Sequence, residues 1–428
     1  VTDRSVAVIG GGAAGLSAAF WLQRHGLRVR VFEAGPRPGG RCTSTHENGF
    51  VFDLAAGALP ATCRETRELI DALGLTGEIE RRGAVIGTLR DGAVHRIDRR
   101  RPWSIAGAHH LRGRDKVALW KLGRDLLRSG AARFDGETVA QWGHRNFDSR
   151  LVENFVAPLS RALFLVEPER TSAADLLSAA KTLLVAGHLM THRDGAGFFL
   201  DAAAAHLDVA CNTTVGEVKE NGDGVTVRGD GFEHRADAAV IALPAPGTLA
   251  VYPDLDPAQR AFLEGLEYSA NIVVNLGVAQ APDERSSMVL IPRDIFADLP
   301  VVGLGHNLGP GRAPTGQGVL TAYWIERWSR EHWADTDQQI VDLTVKAING
   351  VRPGWATDVH ASTVSRWDPG FVVATPGTHG RLREFTRRVD PSARIQLAGD
   401  YLSQSSVNAS VAAGRQAAQR IVAEPGGC

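Results

Sequence analysis

The chain has 428 residues, 44% hydrophobic and 22% charged, with a formal net charge of −1. This is ordinary globular composition, enough for two or three domains with at least one large core, and it excludes a disordered chain. The balance of 47 basic against 48 acidic residues leaves no electrostatic footprint for nucleic acid or for an anionic membrane surface.

Residues 5–10 read Ser-Val-Ala-Val-Ile-Gly, a short apolar run that fits a fully buried strand. Gly10-Gly11-Gly12-Ala13-Ala14-Gly15 follows, then a helical pattern through Leu16, Ala19, Phe20 and Leu22 that stops at His25-Gly26. A second strand, Leu27 to Phe32, ends at Glu33. Strand, Gly-rich turn, helix, strand and acid, in this order, predict a dinucleotide-binding unit. Gly10 allows the tight turn, Gly12 lets backbone approach a pyrophosphate, and Gly15 lets the helix pack closely on the strand. Gly12, Ala13 and Ala14 then bring the free N–H groups of the helix start to the phosphates. Glu33 can accept hydrogen bonds from ribose hydroxyls and repels a 2′-phosphate, which disfavours NADP.

Glu33 continues as Ala34-Gly35-Pro36-Arg37-Pro38-Gly39-Gly40-Arg41. This stretch resembles the second signature of the flavin amine oxidase and protoporphyrinogen oxidase superfamily. There, an acid followed by Gly-Gly-Arg runs along the FAD diphosphate. The resemblance gives Ala34 and Gly40 to that path and makes Arg41 the group that neutralises phosphate. The segment Asn48 to Leu59 is similar to the family's run toward the flavin ring, with Gly57, Ala58 and Leu59 beside the isoalloxazine. Leu69 to Leu75 looks like the helix that follows.

The middle of the chain carries less. Gly113 to Ser129 has helical spacing, and Glu137 to Trp142 opens another helix. Arg161 and its neighbours, Glu167-Pro-Glu and Thr171-Ser172 appear in an order that resembles the protoporphyrinogen-oxidase branch. Leu207 to Val209 and Thr214 to Val218 precede a Val225–Val227 strand and the string Ala236 to Pro244. In the family, the residue matching Val215 holds the adenine through its backbone. Strand-like stretches Asn271–Val278, Ser287–Ile291 and Gly318–Ile325 are expected to roof a pocket.

Near the far end, Ile395 to Leu397 leads to Gly399-Asp400, a loop, and a helix rich in small residues from Val407. This is similar to the family's last signature. Gly399 and Asp400 would hold the ribityl chain or diphosphate. Val407 and Ala409 would aim backbone N–H groups at the flavin, where a helix start stabilises negative charge.

The expected fold is α/β: a Rossmann-like FAD-binding domain with a parallel sheet, interleaved with an α+β substrate-binding domain of mixed sheet plus helices. The expected boundaries are 1–75, 207–250 and 385–428 for the first, and 76–206 and 251–384 for the second. The expected activity is that of an FAD-dependent oxidoreductase. It removes two electrons from a C–N or C–C bond of a small organic substrate, as in amine, amide or porphyrinogen oxidation, with hydride passing to flavin N5. O2 or another acceptor reoxidises it. No catalytic base is assigned. The cluster Tyr323, Trp324, Trp328 and Trp333 reads first as core packing, with Trp324 and Trp367 as pocket walls in the alternative.

Two departures from the family bear on this reading. No Lys occurs between Lys219 and Lys346, so the strand expected at Asn271–Val278 lacks the lysine that many amine oxidases place near flavin N5. No Cys lies near residues 376–400, which excludes a cysteinyl-flavin there and predicts non-covalent FAD. An isoprenoid or carotenoid-type desaturase is the alternative within redox chemistry. A flavin-free binding module resembling GDP-dissociation inhibitors is the alternative of another class.

His188 and His192 stand four residues apart, a spacing that would put two ligands on one helix face, but no third ligand is near and no metal is assigned. Cys42, Cys63, Cys211 and Cys428 include no CxxC pair. Val1 to Arg4 runs straight into an apolar strand, without the pattern of a secretion signal, and no apolar run reaches the ~20 residues of a membrane span. A cytoplasmic protein is expected.

Overall fold

Apolar runs from three distant parts of the chain meet in one parallel sheet. The computed structural model describes residues 3–57, 59–98, 100–101, 113–129, 131–403 and 405–423. In chain order, the elements that position the site begin with β1 (Ser5–Ile9), α1 (Ala13–Arg24), β2 (Arg28–Phe32), β3 (Ser44–Glu47), β4 (Phe50–Asp53) and α2 (Arg64–Ala72). Then come β5 (Val85–Arg90), β6 (Ala93–Asp98), α3 (Ala157–Phe164), β7 (Asp208–Ala210), β8 (Ala238–Ile241) and β9 (Asn271–Val278). The last are β10 (Met288–Leu290), β11 (Val301–Leu304), β12 (Gly318–Tyr323), α4 (Asp337–Val351), β13 (Val359–Trp367), β14 (Ile395–Leu397) and α5 (Val407–Ala423).

The parallel sheet has the order β7-β2-β1-β8-β14. Val6 to Ile9 and all of β8 are buried, as strands covered on both faces require. One face packs on α1 and α5 through Ala14, Ala18, Ala417 and Ala418. The other packs on an antiparallel meander, Val215–Asn221, Gly224–Gly229 and Phe232–Ala236, through Val218, Val225 and Val227. Small residues bring α1 and α5 unusually close. A Cβ built on Gly414 of α5 would stand 2.0 Å from the carbonyl oxygen of Ala14, and Ser17 Oγ donates to the Val411 carbonyl at 2.8 Å.

The second sheet is mixed, in the order β13-β9-β12-β11-β10-β5-β6. Its strands alternate, so successive residues serve opposite faces. Ile272, Val274, Leu276 and Leu320 build the outer core with Ile340 and Ile348 of α4. The opposite face is crossed by two rows of paired residues. One runs Thr88, Leu290, Val301, Tyr323, Val273 and Ser365, from β5 to β13. The other runs Ile86, Met288, Gly303, Thr321, Asn275 and Thr363. This face meets α3 and the β3–β4 hairpin. Leu159 and Ala162 of α3 pack on Leu290 and Val301, and the Asn275 amide donates to the Asp53 carbonyl at 3.0 Å. No helix among the described residues is long and apolar enough to cross a membrane.

Candidate functional site

The turn after β1 is shaped by its glycines. Gly10 has φ +99°, and its N–H donates to the Phe32 carbonyl at 2.8 Å, which closes β1 on β2. A Cβ on Gly15 would stand 1.8 Å from the Gly10 carbonyl oxygen, so only glycine permits this contact between helix and turn. Gly12 is the N-cap of α1 and offers no side-chain cap. The first-turn N–H groups of Ala13 and Ala14 therefore end the helix dipole without a local acceptor. A Cβ on Gly12 would meet nothing within 4 Å, so open space lies beside this helix start.

Glu33, at the end of β2, accepts from Gly11 N–H and Gly35 N–H, each at 2.7 Å. Its carboxylate thus fastens the first Gly-rich turn to the second. Gly39 N–H donates to the Gly11 carbonyl at 2.8 Å, and Gly40, at φ +55°, lies against Gly12 with its own hypothetical Cβ 3.2 Å from the Gly12 Cα. Ala34 is exposed. Val215 opens the meander and is 9% exposed. Two residues earlier, Thr213 N–H donates to the Glu33 carbonyl at 2.8 Å.

The C-terminal signature arrives at the same place. Ala398, just after β14, donates to the Ile241 carbonyl, and Gly399, extended at φ 169°, delivers Asp400. Arg41 Nη2 lies 3.3 Å from Asp400 Oδ1, and its Nη1 donates to the Gly370 carbonyl. Asp400 is 4% exposed. Its Oδ2 accepts from Ser405 Oγ at 2.7 Å, whereas the buried Oδ1 has no hydrogen bond. An orphaned buried acceptor beside the Arg41 guanidinium, one residue on from the Gly40 that lies against Gly12, fits a cofactor that brings both hydroxyl donors and phosphate. At the start of α5, Asn408 Oδ1 accepts from Thr66 N–H and Oγ1 of α2, each at 3.0 Å. Val407 joins the apolar cluster of Leu16 and Val411. Ala409 N–H is already taken by Ser406 Oγ at 3.1 Å.

The segment between Asp53 and Leu59 is pinned from several sides. Asp53 is 4% exposed and pairs with Arg312, 3% exposed. It also accepts from Ser44 Oγ at 2.7 Å and Ala196 N–H at 2.8 Å. Trp367 Nε1 donates to the Leu54 carbonyl at 2.9 Å, so Trp367 abuts this segment. A Cβ on Gly57 would lie 3.1 Å from Tyr323 Oη and 3.3 Å from Asp53 Oδ2. Ala58 lies outside the described residues. Leu59, 2% exposed, turns into the core with Leu16 and Met190.

Trp324 is not a pocket wall. It is 1% exposed in the outer core, stacked on Trp328 with ring centroids 3.6 Å apart, and its Nε1 donates to Thr344 Oγ1 of α4 at 3.1 Å. Strand alternation is the reason: the neighbour Tyr323 takes the inner face instead. Burial and the nearby Asp53 carboxylate push the Tyr323 phenol upward, so it stays a neutral donor across ordinary pH. Its hydroxyl has no hydrogen-bond partner among the described residues.

His188 and His192 do not share a helix face. His188–Thr191 is a strand, which sets Cα atoms four residues apart at about 13 Å, and His192 is buried, stacked on Phe198. No group of three His, Cys, Asp or Glu side chains among the described residues is placed to hold a metal ion.

Sequence reasoning missed the Asp53–Arg312 pair and the inward placement of Tyr323. Alternation beside Trp324 carries a signal for Tyr323. Nothing local marks Arg312, which stands in the loop between β11 and β12.

A profile of flavin-containing amine oxidoreductases matches residues 13–422. Protoporphyrinogen oxidase 2 (chloroplastic/mitochondrial) of Arabidopsis thaliana is 28% identical over 182 residues, which cover 40% of this chain and 35% of that protein. Polyamine oxidase 4 of Oryza sativa subsp. japonica is 26% identical over 404 residues, covering 86% of this chain and 77% of that protein. Among solved structures, cyclohexylamine oxidase from Brevibacterium oxydans IH-35A aligns with a TM-score of 0.77 at 19% identity, covering 98% of this chain and 99% of that one. The last likeness shows a shared α/β fold.

Proposed function

The chain belongs to the flavin-containing amine oxidoreductase family, which implies a flavin cofactor, and from that premise we propose an oxidoreductase with non-covalently bound FAD that oxidises a C–N or C–C bond of a small organic molecule. The observation that carries this reading is the meeting of both ends of the chain: Arg41 and the orphaned Asp400 carboxylate oxygen stand together, with Gly12 and Gly40 in contact at the start of α1. Under this reading, residues 1–75, 207–250 and 385–428 form the FAD-binding part, and 76–206 with 251–384 form the substrate part. The cysteines among the described residues, Cys42, Cys63 and Cys211, are free thiols, which suits a reducing, cytoplasmic setting.

Bound FAD would supply a two-electron acceptor for the substrate. The chain's own groups bind and orient. Ala13 and Ala14 N–H groups and the Arg41 guanidinium would hold the diphosphate. Glu33 would take a ribose hydroxyl on its remaining lone pairs, and Asp400 Oδ1 would accept from a hydroxyl of the ribityl chain. Arg312 fixes Asp53, and Asn275 and Trp367 fix the Asp53 and Leu54 carbonyls, which sets the position of Gly57 against the cofactor. Tyr323 offers one neutral donor. Electrons would pass on to O2 or to another acceptor.

The test is the visible spectrum of the purified protein before and after heat denaturation, and then during anaerobic addition of an amine, a porphyrinogen or a polyene. Flavin bands that leave with the supernatant, and that bleach with one substrate class, are the expected result. A colourless protein that FAD does not reconstitute would refute the proposal.

A further inference from the structure

We propose that a cleft between α2 and the strand Glu80–Gly83 binds a small phosphate monoester, with the guanidinium groups of Arg67 and Arg81 taking its oxygens and its organic body lying on Ile79 and Met190. The cleft measures about 510 Å³, within the size range of small-molecule sites. Neither Arg41 nor Asp400 lines it, so it is separate from the cradle described above and does not depend on the flavin reading. Two elements build it. On α2, Arg64, Arg67, Glu68 and Asp71 follow the i, i+3, i+4, i+7 spacing of one helix face and line the cleft, while Leu69 and Ile70 turn into the core. On the other side, Arg81 stands directly opposite Met190 in the strand ladder, which puts both side chains on one face of that small sheet. Met190 is 4% exposed and belongs to the same apolar cluster as Leu69 and Ile70, so the apolar side of the cleft is continuous with the core.

Charge decides what this cleft holds. The neighbouring arginines are engaged: Arg64, at 2.7 Å, and Arg415 of α5 both hold Glu68, Arg82 holds Glu80, and Arg24 donates to the Ala72 carbonyl at 3.0 Å. The side chains of Arg67 and Arg81 make no hydrogen bond or ion pair among the described residues. Glu68 cannot serve them, because its two cations already claim it. The other lining carboxylate, Asp71, accepts from Thr76 Oγ1 at 2.9 Å and keeps lone pairs for a ligand hydroxyl. Two unmatched cations against one carboxylate favour an anionic guest. A guanidinium presents a planar fork that fits two oxygens. A phosphate monoester brings three acceptor oxygens and close to two negative charges, enough for both forks, whereas a single carboxylate serves one. Alkyl groups on the ester gain from Ile79 and Met190.

The probes are inorganic phosphate, methyl phosphate, n-butyl phosphate and butanoate. Each is titrated by calorimetry into the full chain with FAD in excess, so that the Arg41 cradle is not open to them. The expected result is n-butyl phosphate binding severalfold more tightly than methyl phosphate and at least about tenfold more tightly than butanoate, with affinity falling as salt is raised. Arg67→Gln and Arg81→Gln should each weaken n-butyl phosphate roughly tenfold. Both side chains are exposed, so both variants should keep the parent's melting temperature, which makes the loss one of binding. Arg235→Gln, which removes an equal charge from the meander, should change nothing. Butanoate as tight as n-butyl phosphate, parental affinity in both cleft variants, or no heat with any probe would overturn the proposal. Inorganic phosphate as tight as n-butyl phosphate would mean an adventitious ion only, and would overturn it too. Flavin content is read separately by visible absorbance. A colourless protein that binds n-butyl phosphate and loses it in Arg67→Gln would refute the flavin reading and keep this site.

Discussion

Replacing Gly414 by alanine should damage stability and cofactor binding together. The added Cβ would stand 2.0 Å from Ala14 O and 2.9 Å from Ala18 N. Both neighbours are backbone of α1, so no side chain can swing away. Ordinary contact begins near 3.4 Å, and relief requires the two helices to part by about 1.4 Å. A gap of that order forfeits a quarter to a half or more of each dispersion contact along the seam. That seam includes Ala18, Ala413, Ala417 and Ile421. Overpacking typically costs about 1–3 kcal/mol, and a rigid backbone-to-backbone clash sits at the upper end of that range. The same shift moves the starts of both helices, and with them the Ala13 and Ala14 N–H groups proposed to face the diphosphate. We therefore expect a loss of about 3 kcal/mol in urea unfolding, together with a weaker FAD dissociation constant measured by flavin fluorescence. The assay pairs the two readouts on one preparation, with Gly414→Ser as a second variant. Stability within about 0.5 kcal/mol of the parent and unchanged FAD affinity would refute the close-approach argument.

Arg312→Leu should cost about 3–5 kcal/mol, because it strands the buried Asp53 carboxylate without its cation. Asp53→Asn with Arg312→Leu should recover part of that loss, and strictly additive effects in the cycle would show that the two do not act as a pair. Trp324→Ala should cost about 3–5 kcal/mol in unfolding while leaving the order of substrate preference unchanged, and an altered preference would return Trp324 to the pocket wall. The Asp175 carboxylate, 3.6 Å from His379 Nε2, raises the imidazole above its ordinary range. Its stabilisation is then fully present below the unfolded value near 6.5 and is lost as pH rises through the folded value. His379→Gln should flatten the stability profile above about pH 6.5, and an unchanged slope would remove His379 as its source.

The half of the fold built on the parallel sheet was legible because its signals are local. Ser5–Ile9, Arg28–Phe32 and Ala238–Ile241 are short apolar runs bounded by turn residues, and the glycines between the first two stand where the backbone needs them. Gly113–Ser129 and Asn271–Val278 likewise follow the pattern read from their side chains. Core packing holds for Trp324 and its alternative place as a pocket wall does not, because an aromatic cluster in sequence says nothing about which side of a strand each ring takes. One step of alternation sent Trp324 to the outer core and Tyr323 to the inner face. The Asp53–Arg312 pair was invisible for another reason: its partners sit in a hairpin and a loop 259 residues apart, and no periodicity links them. The Ala409 N–H donates to the nearby Ser406 Oγ, a contact that no periodicity marks.

The strand order of the parallel sheet also constrains how the chain is made. Its central strand β1 pairs with β8, and β8 in turn waits for β14, which begins at Ile395. At the usual ribosomal pace of about 5–20 residues per second, roughly 20–70 s separate the emergence of β2 from that of β14. Through that interval the nascent β1–β2 pair exposes a bare apolar edge, and Asp400 and α5, proposed to complete the cofactor cradle, do not yet exist. On the proposed reading, flavin capture would be a late event, coupled to the arrival of β14. A shortage of the cofactor should then show itself as chaperone dependence and aggregation of new chains rather than as an accumulating folded apoprotein.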